Sequence, residues 1–232
     1  MSPRDRFRLL LLAAAVVPTA SLAGEVTLFG LAGGNSGAYA VNVRSLKEAK
    51  FRTTVRQQYD FSCGSAALAT LLTYHYEHPV TETEVFQYMY VRGDRTKIQR
   101  EGFSLLDIKG YLEGHGYEAD GFETTLDKLA EVSVPAIVLI NENGYQHFVV
   151  VKGLRESEVL IGDPSIGSRI VQRARFEQMW VNSIVFVITS VRDTTTFNAS
   201  ADWRAGKAPL GAAISRESLA NMMIFQRGPY DF

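Results

Sequence analysis

Asp60-Phe61-Ser62-Cys63-Gly64-Ser65-Ala66-Ala67-Leu68-Ala69-Thr70-Leu71-Leu72 is the stretch that decides the fold. Alanine and leucine are strong helix formers, and the apolar residues recur at intervals of three and four, so a helix follows Ser62. Asp60 or Ser62 is expected to cap its start, which places Cys63 in or beside the first turn. Further helices are expected over Thr81 to Tyr90, opened by the capping segment Thr81-Glu82-Thr83-Glu84, and over Ser104 to about His115, where Ser104 and Asp107 have capping-box spacing. A short fourth covers Thr125 to Val132.

Beyond it the period changes. Val134 to Ile140, Tyr145 to Lys152, Glu158 to Ile161, Ser168 to Gln172 and Ile184 to Ser190 are short runs rich in Val and Ile. Turn residues separate them (Asn143-Gly144, Gly153, Asp163-Pro164, Gly167), which predicts a largely antiparallel sheet. Helices first and strands afterwards make the chain α+β, with N-terminal helices packed on the sheet.

The flanks carry other signals. Arg4, Arg6 and Arg8 precede nine unbroken apolar residues, Leu9 to Val17, and small residues follow up to Ala23-Gly24. A basic region, a short apolar run and small residues before a cut describe a secretory signal peptide over residues 1–23. Nine apolar residues are too few to span a bilayer, and no later run is longer, so no integral membrane segment is expected after cleavage. Residues 24–50 are Gly-, Ala- and Ser-rich in part and are expected to form a flexible leader, 51–191 a single domain, and 192–232 a tail with a helix near Arg216 to Gln226. A formal net charge of −1 with both signs interspersed gives no reason to expect nucleic acid.

Export gives meaning to the cysteine count. Oxidising compartments pair cysteines, and this chain has one, Cys63, so no internal disulfide is possible and a reactive thiol comes into question. An inert buried cysteine is the plain alternative. A helix N-terminus favours a thiolate, and Gly64 removes a side chain that would crowd an approaching peptide. Of the four histidines, His75 and His78 fall at the far end of the Cys63 helix and are expected to cap or solvate it, and His115 sits in an exposed Gly-His-Gly turn. His147 opens a buried-looking strand, and Asp163 ends the next, so a hairpin-like pair would set them side by side. Gln57, or its neighbour Gln58, could supply a side-chain donor for an oxyanion beside the Cys63 N–H, with a solvated glutamine as the plain alternative for either. One cysteine and four scattered histidines offer no metal cluster, and no cofactor is expected.

Together, Gln57, Phe61-Ser62-Cys63-Gly64-Ser65-Ala66-Ala67-Leu68, His147-Phe148-Val149-Val150 and Gly162-Asp163-Pro164 resemble the double-glycine leader peptidases, family 39 of the cysteine peptidases. Gly102-Phe103-Ser104-Leu105-Leu106 through Gly116-Tyr117 is also similar to that family's middle helix. The resemblance implies a papain-like fold in which Cys63 attacks, His147 is base and acid, Asp163 orients it and Gln57 completes the oxyanion hole. Such a pair is expected to rest as thiolate and imidazolium. Stand-alone exported relatives accompany bacterial functional-amyloid (Fap-type) secretion, which implies a periplasmic enzyme acting on secreted amyloid or leader-bearing polypeptides. A catalytically silent module that binds such segments, or an acyl transferase using the same residues, would carry the same motifs. Leu28, Leu31, Gly33 and Gly34 have the spacing of a double-glycine leader, so self-cleavage after Gly34 is an expectation set against a plain glycine-rich linker.

Overall fold

The computed structural model describes residues 24–28, 39–43, 46–191 and 195–207. The signal segment, the Gly33-Gly34 motif and the helix expected near Arg216 lie outside them. The chain divides into two units, Met1–Arg44 and Ser45–Phe232. In the first, β1 (Gly24–Leu28) and β2 (Tyr39–Val43) pair antiparallel, Val26 opposite Val41, where the sequence reading expects a flexible leader. Both segments carry β-branched residues, and the glycine-rich stretch lies between them.

The second unit runs α1 (Leu46–Lys50), α2 (Cys63–His75), α3 (Glu82–Arg92), α4 (Arg95–Glu101), α5 (Leu105–Gly114), β3 (Ala119–Glu123), α6 (Leu126–Val132), β4 (Ala136–Glu142), β5 (Tyr145–Leu154), β6 (Glu158–Asp163), β7 (Gly167–Gln172), α7 (Arg173–Met179), β8 (Ile184–Ile188) and α8 (Ser200–Gly206). The sheet has the order β3-β8-β4-β5-β6-β7 with every pairing antiparallel. The α+β architecture, with helices packed on that sheet, is as expected.

Helix α2 is buried almost all round, because Ala66, Ala67 and Ala69 let it pack closely while Leu68, Leu71 and Leu72 fill the core. One face of the sheet presents Ile137, Phe148, Val150 and Phe186 to α2, α3 and α5. The other presents Val138, Ile140, Val149, Val151 and Val185 to Leu126, Leu129, Phe176 and Met179 of α6 and α7. Capping boxes open α3 (Thr81 with Glu84) and α5 (Ser104 with Asp107), as their spacing predicts.

The compact unit continues beyond residue 191. Trp203 of α8 is buried, Asp202 pairs with Lys152, and Asn198 accepts from the Leu154 N–H at 2.8 Å. The start of the expected tail is therefore part of the domain. His75 differs from expectation too: it is fully buried, and its Nδ1 donates to the Thr196 carbonyl at 2.6 Å. Helix α2 ends inside the protein rather than at solvent, so His75 holds the C-terminal segment.

Candidate active site

The site begins with the pairing of β5 and β6. Val150 lies directly opposite Gly162, and directly opposed residues share a face. His147 and Asp163 both stand at odd offsets from that pair, so their side chains emerge together on the opposite face. His147 Nε2 and Asp163 Oδ2 are 3.0 Å apart, with side chains 4% and 1% exposed.

Burial works against charge on Asp163, yet the His147 bond and two bonds from Ser165 (backbone N–H at 2.9 Å, hydroxyl at 2.6 Å) hold its carboxyl down at about 2. An ionised Asp163 fixes the imidazole with its proton on Nε2. Nδ1 is then the free base, and it is buried without a hydrogen-bond partner.

Cys63 is the first residue of α2 and is 8% exposed. Ser62 does not cap the helix. Its hydroxyl folds back on Tyr59, donating to the carbonyl at 3.0 Å and accepting from the N–H at 3.1 Å. The first N–H groups of α2 are thereby left near the thiol, where the backbone N–H groups of Phe148 of β5, Gly64 and Cys63 act to lower its pKa. Phe148 is the residue after His147, so the sulfur sits at the start of the strand that carries the imidazole. Burial is the largest influence and pushes the Cys63 thiol up, against those three donors, and the negative charge of Asp163 adds to it.

Gln57 is brought to the site from the other side. Its backbone N–H donates to the Pro164 carbonyl at 3.0 Å, tying it to the turn after Asp163. Its Nε2 is engaged by the carbonyls of Tyr59 at 3.0 Å and Asp60 at 3.4 Å, while Oε1 is buried and unpaired. An oxyanion role requires that amide to turn away from those carbonyls. A Cβ at Gly64 would stand 3.0 Å from Phe103 Cβ and 3.5 Å from the Phe148 ring, so its missing side chain serves core packing.

Three neighbours escaped the sequence reading. Arg169 of β7 donates to Asp163 Oδ2 at 3.1 Å and to Glu142 Oε2 at 2.8 Å. Tyr145 lies over His147 with ring centroids 5.1 Å apart, donates to the Asp60 carbonyl at 3.2 Å and reaches the Gln57 side chain. Ser165 closes the turn on Asp163. Arg169 was recoverable: the Asp163-to-Gly167 turn sets the register that puts it on the face of Asp163. A groove of about 590 Å³ between α5 and β3, lined by Leu105, Leu106, Lys109, Ile184 and Phe186 among others, holds none of these groups. Among the described residues no cluster of His, Cys, Asp or Glu could hold a metal ion.

The sequence profile of the peptidase C39 family matches residues 52–192, from the turn before Gln57 past the last strand of the sheet. The chain belongs to this family. The family makes it a cysteine peptidase, and the fold is the papain-like one expected. A probable functional amyloid protease, FapD, of Pseudomonas fluorescens is 39% identical over 168 residues, 72% of this chain and 73% of that one. The protein of the same name from Pseudomonas aeruginosa is 40% identical over 146 residues, 63% of this chain and 64% of that one. The solved peptidase domain of Streptococcus ComA, a bi-functional ABC transporter of a quorum sensing pathway, superposes with a TM-score of 0.50 at 20% identity. It covers 59% of this chain and 97% of that domain. That likeness is one of fold.

Proposed function

We propose that the protein is an exported, periplasmic cysteine endopeptidase that cuts a secreted polypeptide of functional-amyloid biogenesis, with Cys63, His147 and Asp163 as its triad. One observation carries the assignment of roles: His147 is committed through Nε2 to a dry carboxylate, leaving Nδ1 buried and unpaired at the strand start where the Cys63 sulfur sits.

The steps follow from that arrangement. His147 Nδ1 takes the proton of the Cys63 thiol as the sulfur attacks the scissile carbonyl carbon. The carbonyl oxygen becomes an oxyanion held by the Cys63 N–H and the Gln57 amide. The imidazolium then gives its proton to the leaving amine as the C–N bond breaks, leaving a thioester on Cys63. Water, deprotonated by the same nitrogen, splits the thioester and restores the thiol. Asp163 stabilises the imidazolium in both halves without itself taking the proton.

Similarity to the FapD proteases supports an amyloid-secretion substrate, and the double-glycine resemblance supports a small residue before the cut. The basic and apolar start of the sequence supports export. Among the described residues no helix is long and apolar enough to cross a membrane. A second reading is favoured by one observation, the burial that pushes the Cys63 thiol up: a silent module that holds such segments without cutting them. Incubating the mature protein with the polypeptides secreted beside it, and mapping new termini by mass spectrometry, separates the two. The peptidase gives discrete new termini that vanish with Cys63→Ala and with His147→Ala. Unchanged termini with retained binding would establish the module instead.

A further inference from the structure

Asp163 Oδ2 is shared: it accepts from His147 Nε2 at 3.0 Å and from Arg169 Nη2 at 3.1 Å. Arg169 in turn forks onto Glu142, with Nη2 to Oε2 at 2.8 Å and Nη1 to Oε1 at 3.4 Å, and Arg175 Nη2 of α7 donates to the same Glu142 Oε1 at 2.9 Å. Glu142 ends β4 and Arg169 belongs to β7, so the pair bridges over β5 and β6, the strands that carry His147 and Asp163. Register places all four on one face. Ile140 opposes His147 with Glu142 two residues on, and Ile161 opposes Arg169 with Asp163 two residues on. Arg169 and Glu142 are 18% and 24% exposed, dry enough for their charges to be felt at His147.

We propose that Arg169 and Glu142 are a positioning pair for the peptidase reaction, an ionic strap that fixes the Asp163 carboxylate and sets, with opposite signs, how readily His147 takes up a proton. The inference rests on the peptidase reading for its purpose but not for its measurement. The groups around His147 are Asp163 from β6, Arg169 from β7 through Asp163, Glu142 through Arg169 from β4 and Tyr145 from its own strand, and the Cys63 thiol of α2 lies by the backbone of Phe148, the next residue. Arg175 balances Glu142 from α7. Together Asp163, Arg169, Glu142 and Arg175 sum to no net charge, so deleting one member tips the site by a unit charge. Without Arg169, Asp163 acts on His147 alone and the imidazolium gains stability. Without Glu142, Arg169 is unbalanced and the imidazolium loses it.

The test is the titration of His147 by NMR in the full chain labelled at histidine, its resonances assigned by their loss in His147→Gln. Arg169→Gln is expected to raise the midpoint by about 1 pH unit. Glu142→Gln is expected to lower it by a smaller step, and Arg169→Lys to leave it near wild type. A purely structural strap would move both variants the same way or neither, and either result overturns the inference. Should Arg169→Gln fail to fold, Glu142→Gln and Arg169→Lys still decide it: a midpoint that does not fall in the first is against it. Wild-type cutting that ignores His147→Ala sinks the peptidase reading. Opposite shifts of the titration would survive that result, so the two failures are distinguishable.

Discussion

Lys152 of β5 and Asp202 of α8, fifty residues apart, meet at 2.7 Å with side chains 0% and 5% exposed. The ammonium also donates to the Thr53 carbonyl at 2.6 Å and hydroxyl at 2.8 Å, so every one of its protons is spent inside the protein. Burial lowers the Lys152 pKa, and Asp202 works against that to keep it charged. The pair locks the C-terminal segment against the strand that carries His147.

Breaking one half of that lock is expected to cost far more than removing both. Asp202→Ala leaves an uncompensated buried ammonium, at a cost of about 3–5 kcal/mol. The double variant Lys152→Met with Asp202→Leu is expected to recover most of it. Urea unfolding of the single and double variants measures the difference.

His75 makes stability depend on pH. Burial, and then the nearby Lys152 charge, lower its pKa from 6.5 to about 4. Between those values the unfolded chain binds a proton that the folded chain refuses, so stability falls as pH falls from 6.5 towards 4. The loss is about 3 kcal/mol at most. His75→Gln is expected to flatten this part of a stability–pH curve measured by urea midpoints. An equal slope in the variant would assign it elsewhere.

Asp163 contributes in a lower window. Its carboxyl is held at about 2 against 3.8. The stability it provides is complete above 3.8 and is lost as pH falls through 2. Asp163→Asn keeps an acceptor for His147 but no charge, and is expected to lower kcat about 10²-fold or more while the fold survives. Steady-state kinetics on a mapped cleavage site, with circular dichroism for folding, check both halves.

Gly64→Ala tests the close approach of α2 to Phe103. The added Cβ meets Phe103 Cβ at 3.0 Å and the Phe148 ring at 3.5 Å, and such overpacking costs about 1–3 kcal/mol. Because the Phe148 N–H acts on the Cys63 thiol, activity is expected to fall along with Tm. Thermal unfolding and kcat/KM together report it.

Much of this was legible in the chain because periodicity and capping agree with burial. The Ala- and Leu-rich run made α2, two capping boxes set the starts of α3 and α5, and the Val/Ile runs became β4 to β8. Strand β3 was not legible: Ala119 is its only buried residue, and an edge strand needs no alternating pattern. Helix α8 is too short to show a period, and its hold on the domain comes from Lys152, which the sequence offers as one more strand residue. His147 and Asp163 could be paired from strand order, but the burial of the thiol could not. It depends on how deeply the N-terminus of α2 is packed, a tertiary quantity.

The most direct test of the account is the rate at which iodoacetamide alkylates Cys63 at pH 7, followed by intact mass in wild type and His147→Ala. With Nδ1 as the base for a buried thiol, the account predicts that removing the imidazole slows labelling by about 10²-fold. Equal rates in the two proteins would show that the sulfur does not depend on His147, and would contradict the triad.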